Sequence, residues 1–122
     1  MKKFLKNYIK DFDFLKKGNG YDLNIPFRLF NDEVTFTVHI QENEAGYYDI
    51  DDKGHTFKYL ENFDTNIEKY QYKIELICRY FSLKIEDNVV KGIIGFGTRQ
   101  LYVQLHNFLQ GLSNLSMIQL LD

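Results

Sequence analysis

Apolar and polar residues alternate in three stretches of the first half of the chain, residues 23–30, 34–40 and 47–50. A period of two is typical of strands with one buried face. Polar turns at 31–33 and 42–46 separate these stretches, so the pattern predicts an antiparallel meander. Pro26 cannot donate to a strand ladder, which places the first strand at an edge or makes its start irregular.

A period of three to four predicts helices elsewhere. An amphipathic helix is expected at 2–16, ended by Gly18-Asn19-Gly20, and a short one begins at Thr56 as cap. Longer helices are expected at 66–81 and 98–120, with a small hairpin at 83–94 between them. The predicted fold is therefore α+β, with a small antiparallel meander packed against three longer helices and a short second hairpin. Gly111, inside the last helix, indicates close packing or a kink.

Length and composition predict one domain spanning residues 1–122, able to bury a core without disulfides. Cys78 is the single cysteine and falls on the apolar side of the 66–81 helix, which favours a structural thiol. No signal peptide is visible, and no apolar run approaches the roughly 20 residues of a membrane span. We therefore expect a soluble, cytoplasmic protein. Abundant Phe, Tyr, Ile, Asn and Lys, with one Ala and one Pro, favour an AT-rich source such as a low-GC bacterium, a phage or a mobile element.

Charge is unevenly distributed along the chain, although the net value is only −2. Residues 1–17 carry six lysines against two aspartates, whereas the rest carries nine basic and fifteen acidic residues. An acidic body disfavours nucleic-acid binding, which requires a basic face. A local basic patch remains as an alternative nucleic-acid site on the N-terminal helix, formed by Lys2, Lys3, Lys6, Lys10, Lys16 and Lys17.

Carboxylates cluster where the third strand runs into the short helix, namely Glu42, Glu44, Asp49, Asp51 and Asp52. Asp49 and Asp51 would share a strand face, and two such carboxylates are able to bind a divalent cation. With Lys58 nearby, the set resembles that of a metal-dependent nuclease. We favour the alternative that Asp52-Lys53-Gly54 forms a tight turn and that Asp51 or Asp52 caps the next helix.

Histidines and tyrosines add little chemistry but suggest a surface. His39, His55 and His106 are isolated and lack metal-ligand spacing, and only His55 neighbours the acidic cluster. The tyrosines exceed what a small core needs, and exposed tyrosine is enriched in protein interfaces. The predicted partner-binding residues are Glu42, Glu44, Tyr47, Tyr48, Asp49, Asp51, Asp52, His55 and Tyr59.

The stretch Tyr48-Asp49-Ile50-Asp51-Asp52-Lys53-Gly54-His55-Thr56-Phe57-Lys58-Tyr59-Leu60, read with the order of elements, resembles a bacterial and phage family. It is the domain-of-unknown-function family numbered 1828. The resemblance covers roughly residues 20–120 and leaves the basic segment 1–17 outside. It implies a strand, an Asp-x-Gly turn, a helix, a short hairpin and a long final helix. The family carries no established chemistry, so it supports fold and ancestry.

Three functions remain open on the sequence. The first is a non-enzymatic interaction module that binds and modulates a host or defence-system protein through its acidic, Tyr-rich surface. The second is a small divalent-metal-dependent hydrolase or nuclease at Asp49 and Asp51, and the third is nucleic-acid binding through the basic helix. We rank them in that order and expect no cofactor. The 2–16 helix and the C-terminal helix also offer apolar surface for a homodimer.

Overall fold

Six strands and three α-helices make up the part of the chain that the computed structural model describes, residues 13–25, 36–62, 64–94 and 98–118. The strands are β1 (Asp13–Lys17), β2 (Gly20–Ile25), β3 (Phe36–Glu42), β4 (Tyr48–Asp51), β5 (Lys84–Glu86) and β6 (Val89–Ile94). The helices are α1 (His55–Asn62), α2 (Gln71–Phe81), which follows a 3₁₀ turn at Ile67–Tyr70, and α3 (Thr98–Ser116). The architecture is α+β, as the sequence predicts.

All six strands form one antiparallel sheet in the order β1-β2-β3-β4-β6-β5. The predicted second hairpin, β5–β6, is therefore an extension of the meander, because β6 pairs directly with β4. Helices α1 and α2 lie in the connection between β4 and β5, and α3 follows β6. The turn after β4 consequently connects the first four strands to α1 and is hydrogen-bonded to β6 of the second hairpin.

One face of the sheet is buried against the helices. The strands contribute a set of residues between 0% and 4% exposed, Leu23, Ile25, Val38, Ile40, Ile50 and Val90. The helices add Leu60, Ile74, Leu105, Phe108, Leu109, Leu112 and Leu115 to the same hydrophobic cluster. These are the positions that the strand alternation and the helical stripes mark as apolar.

The predicted N-terminal helix at 2–16 is wrong over its last residues, and its earlier part lies outside the described residues. Residues 13–17 form strand β1, which pairs with β2 through a two-residue turn at Gly18-Asn19. Gly18 has a φ of +57°, which suits the first position of a hairpin turn as well as a helix end. The same glycine therefore serves either structure, and pairing with β2 decides between them.

Two helix starts also differ from expectation. Helix α1 begins at His55, so Thr56 lies inside it, fully buried, and its hydroxyl does not cap. The predicted 66–81 helix begins as the 3₁₀ turn, where Asn66 accepts a hydrogen bond from the backbone nitrogen of Lys69 at 3.4 Å. The predicted apolar stripe is retained, because Tyr70 and Ile74 are buried.

Cys78 is half-buried on α2 and packs against the hydrophobic cluster. Burial raises the pKa of its thiol, which disfavours the reactive thiolate and agrees with a structural role. Among the described residues, no helix is long and apolar enough to cross a membrane.

Gly111 lies at a close approach between α3 and the end of α2. A Cβ at this position would stand 2.7 Å from Leu83 Cδ1 and 3.1 Å from Phe81 Cβ. We therefore expect Gly111→Ala to lower the free energy of unfolding by about 1 kcal/mol, because overpacking outweighs the gain of about 1 kcal/mol in helix propensity. Urea unfolding measures this change. The control, Gln110→Ala at the exposed neighbouring position, should change stability by less than about 0.5 kcal/mol. A stabilised Gly111→Ala variant would contradict the close contact.

Candidate functional site

The predicted partner-binding residues divide into three environments. The β3–β4 hairpin exposes four of them, Glu42, Glu44, Tyr47 and Asp49. Half-buried positions hold Tyr48 and Asp51 on β4 and His55 and Tyr59 on α1. Asp52 is fully buried. The structure thus brings one subset together in solvent on a single hairpin and assigns the others to different surroundings.

Asn43 organises the tip of this hairpin. Its side-chain oxygen accepts hydrogen bonds from the backbone nitrogens of Ala45, at 2.9 Å, and Tyr47, at 3.1 Å. Its backbone nitrogen donates to the Tyr47 carbonyl at 2.8 Å, and its side-chain amide donates to Asp49 Oδ1 at 3.3 Å. Gly46, with a φ of +83°, completes the turn. The acidic loop therefore has a defined shape.

Tyr48 differs from its neighbour Tyr47 because it turns towards the core. It packs against the hydrophobic cluster, and its strand partner is Glu42. Burial, together with the negative charge of Glu42, raises the pKa of the Tyr48 hydroxyl. Tyr47 is 39% exposed and supplies the aromatic surface of the hairpin.

Asp52 is held by backbone hydrogen bonds at the point where β4 ends. Its Oδ1 accepts from the backbone nitrogens of Gly54, at 2.8 Å, and Val90, at 3.0 Å, and its Oδ2 accepts from that of Thr56 at 3.0 Å. Its own backbone nitrogen donates to the Val90 carbonyl at 3.1 Å. One carboxylate therefore caps α1 and ties it to β6.

Asp51 forms the second half of this turn. Its Oδ1 accepts a hydrogen bond from the backbone nitrogen of Lys53 at 2.8 Å, and Lys53 adopts a positive φ of 56°. The favoured sequence interpretation, a tight turn with a capping aspartate, is confirmed for the Asp51–Gly54 segment. The capping residue is Asp52.

The sheet face opposite the helices carries a row of ionisable side chains. Directly paired residues of antiparallel strands share a face, so the register aligns five positions across β2, β3, β4, β6 and β5. They are Asp22, His39, Asp51, Lys91 and Lys84. A groove of about 610 Å³ runs along this face, and residues of four of these strands line it.

Asp22 and His39 are hydrogen-bonded to each other within this row. The carboxylate can only accept, so His39 Nδ1 donates to Asp22 Oδ1, at 2.8 Å. Lys53 Nζ donates to Asp22 Oδ2 at 3.0 Å, and His39 Nε2 lies 3.2 Å from the side-chain oxygen of Gln41. Burial alone raises the pKa of the Asp22 carboxyl, but the hydrogen bonds and charges of His39 and Lys53 outweigh it and hold that pKa below its ordinary value.

Sequence reasoning missed this cluster. Asp22 and His39 lie 17 residues apart, and His39 has no charged neighbour in the sequence. The indication that was present is positional, because His39 is a polar position of the predicted 34–40 strand and therefore faces away from the core. Asp22 lies one residue before the predicted 23–30 strand. Only the register, which pairs Asp22 with His39, brings them into contact.

The predicted metal-dependent set is not assembled around Lys58. Asp49 and Asp51 line the groove on the open sheet face. Lys58, on α1, lines a different cleft together with Glu61 and Asp64. Within the described ranges, no group of three or more His, Cys, Asp or Glu side chains is placed to hold a metal ion.

Two residues of the predicted basic patch lie in the described part of the chain. Lys16 and Lys17 are exposed on β1, and Lys16 lines a cleft with Glu42 and Glu44. The other four, Lys2, Lys3, Lys6 and Lys10, lie outside the described residues. Lys16 is therefore positioned beside carboxylates, which offsets part of its charge.

The two neighbouring aspartates of the turn should differ sharply in their effect on stability. Asp52→Ala leaves three backbone donors without their acceptor, and we expect a loss of about 3 kcal/mol in the free energy of unfolding. Asp51→Ala removes one accepted bond at a partly exposed site and should cost about 1 kcal/mol or less. Asp52→Asn, which keeps one acceptor oxygen, should fall between them. Chemical denaturation measures all three, and equal losses at both positions would contradict the capping role.

The stabilisation by Asp22 should depend on pH. Because its pKa is lower in the folded chain than the ordinary 3.8, its contribution is present above that value and is lost as pH falls towards the folded pKa. We expect wild type to exceed Asp22→Asn by about 2 kcal/mol in unfolding free energy near pH 6. The gap should shrink steadily below about pH 4. Urea titrations at several pH values test this, and a constant gap would exclude an ionised Asp22 as the cause.

The chain has no match among protein-family models, curated proteins or solved structures. The resemblance of residues 20–120 to the family numbered 1828 accordingly stays a prediction.

Proposed function

We propose that this chain is a non-enzymatic protein-interaction module whose acidic β3–β4 hairpin binds a basic surface of a partner protein. The observation that carries the proposal is the joint exposure of Glu42, Glu44, Tyr47 and Asp49 on one ordered hairpin. None of these four belongs to the hydrophobic core.

Charge favours a cationic partner. The hairpin concentrates three carboxylates within eight residues, in a chain whose residues 18–122 are acidic overall. Such a surface speeds encounter with a basic partner and disfavours acidic ones. Tyr47 adds stiff aromatic contact area with a polar tip, the side-chain type enriched at the centre of interfaces.

The shape of the hairpin supports the same proposal. The hydrogen bonds of Asn43 to Ala45, Tyr47 and Asp49 hold the loop in one conformation before any partner arrives. A preorganised loop loses less conformational entropy on binding than a flexible one. Asp52, by contrast, is withdrawn from the proposed surface because its carboxylate is buried.

The source of the partner follows from composition. The abundance of residues encoded by AT-rich codons favours a phage, a mobile element or a low-GC bacterium as the source of this chain. We propose a host or defence-system protein as its target. An acidic hairpin is suited to a basic groove that otherwise holds nucleic acid. A lysate of a low-GC bacterium is therefore the appropriate first source of partner.

The two alternatives have less geometric support. A hydrolase at Asp49 and Asp51 would need a cation-binding set, and Lys58 lines another cleft. Nucleic-acid binding through the lysines has two exposed residues in its favour, Lys16 and Lys17. Nuclease treatment of the lysate separates this possibility from protein binding.

We expect the wild-type chain, immobilised by a tag, to retain a specific protein from a nuclease-treated lysate. The variant Glu42→Gln, Glu44→Gln, Asp49→Asn removes three charges while preserving side-chain size. It should retain at least about tenfold less, because tenfold corresponds to about 1.4 kcal/mol shared among three charged contacts. Quantitative mass spectrometry of the eluates measures the difference.

The matched control removes three charges elsewhere, through Glu61→Gln, Asp64→Asn and Asp87→Asn, all exposed. Asp64 and Asp87 have positive φ values, which asparagine tolerates. This control should retain the partner within about twofold of wild type, since lost charge outside the interface matters little. An equal loss of partner retention in both variants would show that overall charge, not the hairpin, is responsible for binding. Capture of no protein by wild type would refute the proposal.

A further inference from the structure

The outer side of α2 carries an exposed row of large side chains. Tyr72, Leu76 and Tyr80 are 72%, 43% and 81% exposed, and they follow one another at four-residue spacing. Residues four apart stack on one side of a helix, so these three form a continuous ridge. The opposite side of the same helix holds buried Ile74. Helix α2 thus has a second apolar surface that the core does not use.

The side chains of the ridge are arranged symmetrically about its central residue, Leu76. Each tyrosine lies four residues from Leu76, so a two-fold axis through Leu76 and perpendicular to the helix exchanges Tyr72 and Tyr80. A two-fold interface requires a patch that is complementary to itself. In an antiparallel pair centred on Leu76, Tyr72 of each copy contacts Tyr80 of the other copy. The two Leu76 side chains contact each other at the two-fold axis.

Charged residues beside the ridge fit the same arrangement. Glu75 and Arg79 are both exposed and lie on one flank of the ridge, by the helical spacing. In the antiparallel pair, Arg79 and the second copy's Glu75 lie on the same side of the axis. At a rise of about 1.5 Å per residue, the two residues are offset by only about 3 Å along the direction of the helices. Two symmetric ion pairs therefore form.

The other flank tolerates the pairing. Lys73 lies on that flank and would be separated from the second copy's Lys73 by about 9 Å along the direction of the helices. That separation is close to the screening length of about 8 Å at physiological salt, so their repulsion is small. In a parallel pair centred on Leu76, each ridge residue would face the same residue of the second copy. The contacts between Tyr72 and Tyr80 would then be lost.

We propose that α2 is the interface of a homodimer, in which two copies pack antiparallel through Tyr72, Leu76 and Tyr80 and are aligned by ion pairs between Glu75 and Arg79. The occupant of the ridge is a second copy of this chain. The ridge is narrow compared with stable interfaces of about 1,600 Å², so the dimer is weak and forms in the micromolar range or above. The inference is independent of the proposed function, because the β3–β4 hairpin takes no part in it.

Sedimentation equilibrium of the full chain, from about 10 µM to 1 mM, tests the dimer. We expect wild type to associate reversibly, and Leu76→Glu, which places two carboxylates at the axis, to remain monomeric. Ile93→Gln is the control, because Ile93 is an exposed apolar residue outside the ridge, 69% exposed on strand β6. It should associate as wild type does. A monomeric wild type, or loss of association in Ile93→Gln with Leu76→Glu unaffected, would overturn the proposal.

A charge exchange tests the alignment itself. Glu75→Arg and Arg79→Glu each turn two attractive contacts into two repulsive ones, and each should weaken association at least about tenfold. The double variant Glu75→Arg, Arg79→Glu restores opposite charges and should associate within about threefold of wild type. All positions are exposed, and circular dichroism verifies that each variant is folded. Failure of the double variant to recover association would exclude the antiparallel register.

Discussion

The buried carboxylate of Asp52 is the interaction on which the arrangement of this protein depends. It lies where β4 ends and the chain leaves the sheet for α1, a point at which backbone donors lose their regular partners. Its two oxygens accept hydrogen bonds from Gly54, Thr56 and Val90, so one side chain serves the turn, the helix start and strand β6 together. A buried charge is costly in a protein interior unless its hydrogen-bonding capacity is filled in this way.

This arrangement explains how the four-stranded meander and the second hairpin become one sheet. The ladder between β4 and β6 ends at Asp51 and Lys91. One residue further on, Asp52 continues the contact to β6 with one backbone and one side-chain hydrogen bond to Val90, while its chain turns into α1. Residues of all three helices then join the hydrophobic cluster on one face of the sheet, and the second hairpin adds to the edge of the meander.

Because the helices cover only one face of the sheet, the other face carries polar and ionisable side chains. Side chains on this face satisfy one another laterally, as the contacts of Asp22 with His39 and Lys53 demonstrate. Two further surfaces lie outside the core, the acidic β3–β4 hairpin, whose Asp49 also lines the groove on the open face, and the ridge on α2. Their exposed aromatic residues contribute nothing to the core, and the proposed contacts with a partner and with a second copy give each of them a physical role.

The sequence by itself determined most of the elements, because the period of apolar residues shows which face of a strand or helix is buried. It located β3 to β6 within about two residues, overlapped β2 and the three described helices, and identified the capping turn at Asp51 and Asp52. Tertiary structure decided what local pattern leaves open. Phe12 and Leu15 fit a helical period, yet pairing with β2 made residues 13–17 a strand. The register of β2 and β3 brought Asp22 to His39, and helix packing determined that Tyr72 and Tyr80 face solvent while Tyr70 is buried. These outcomes depend on contacts between residues distant in sequence, which no local spacing encodes.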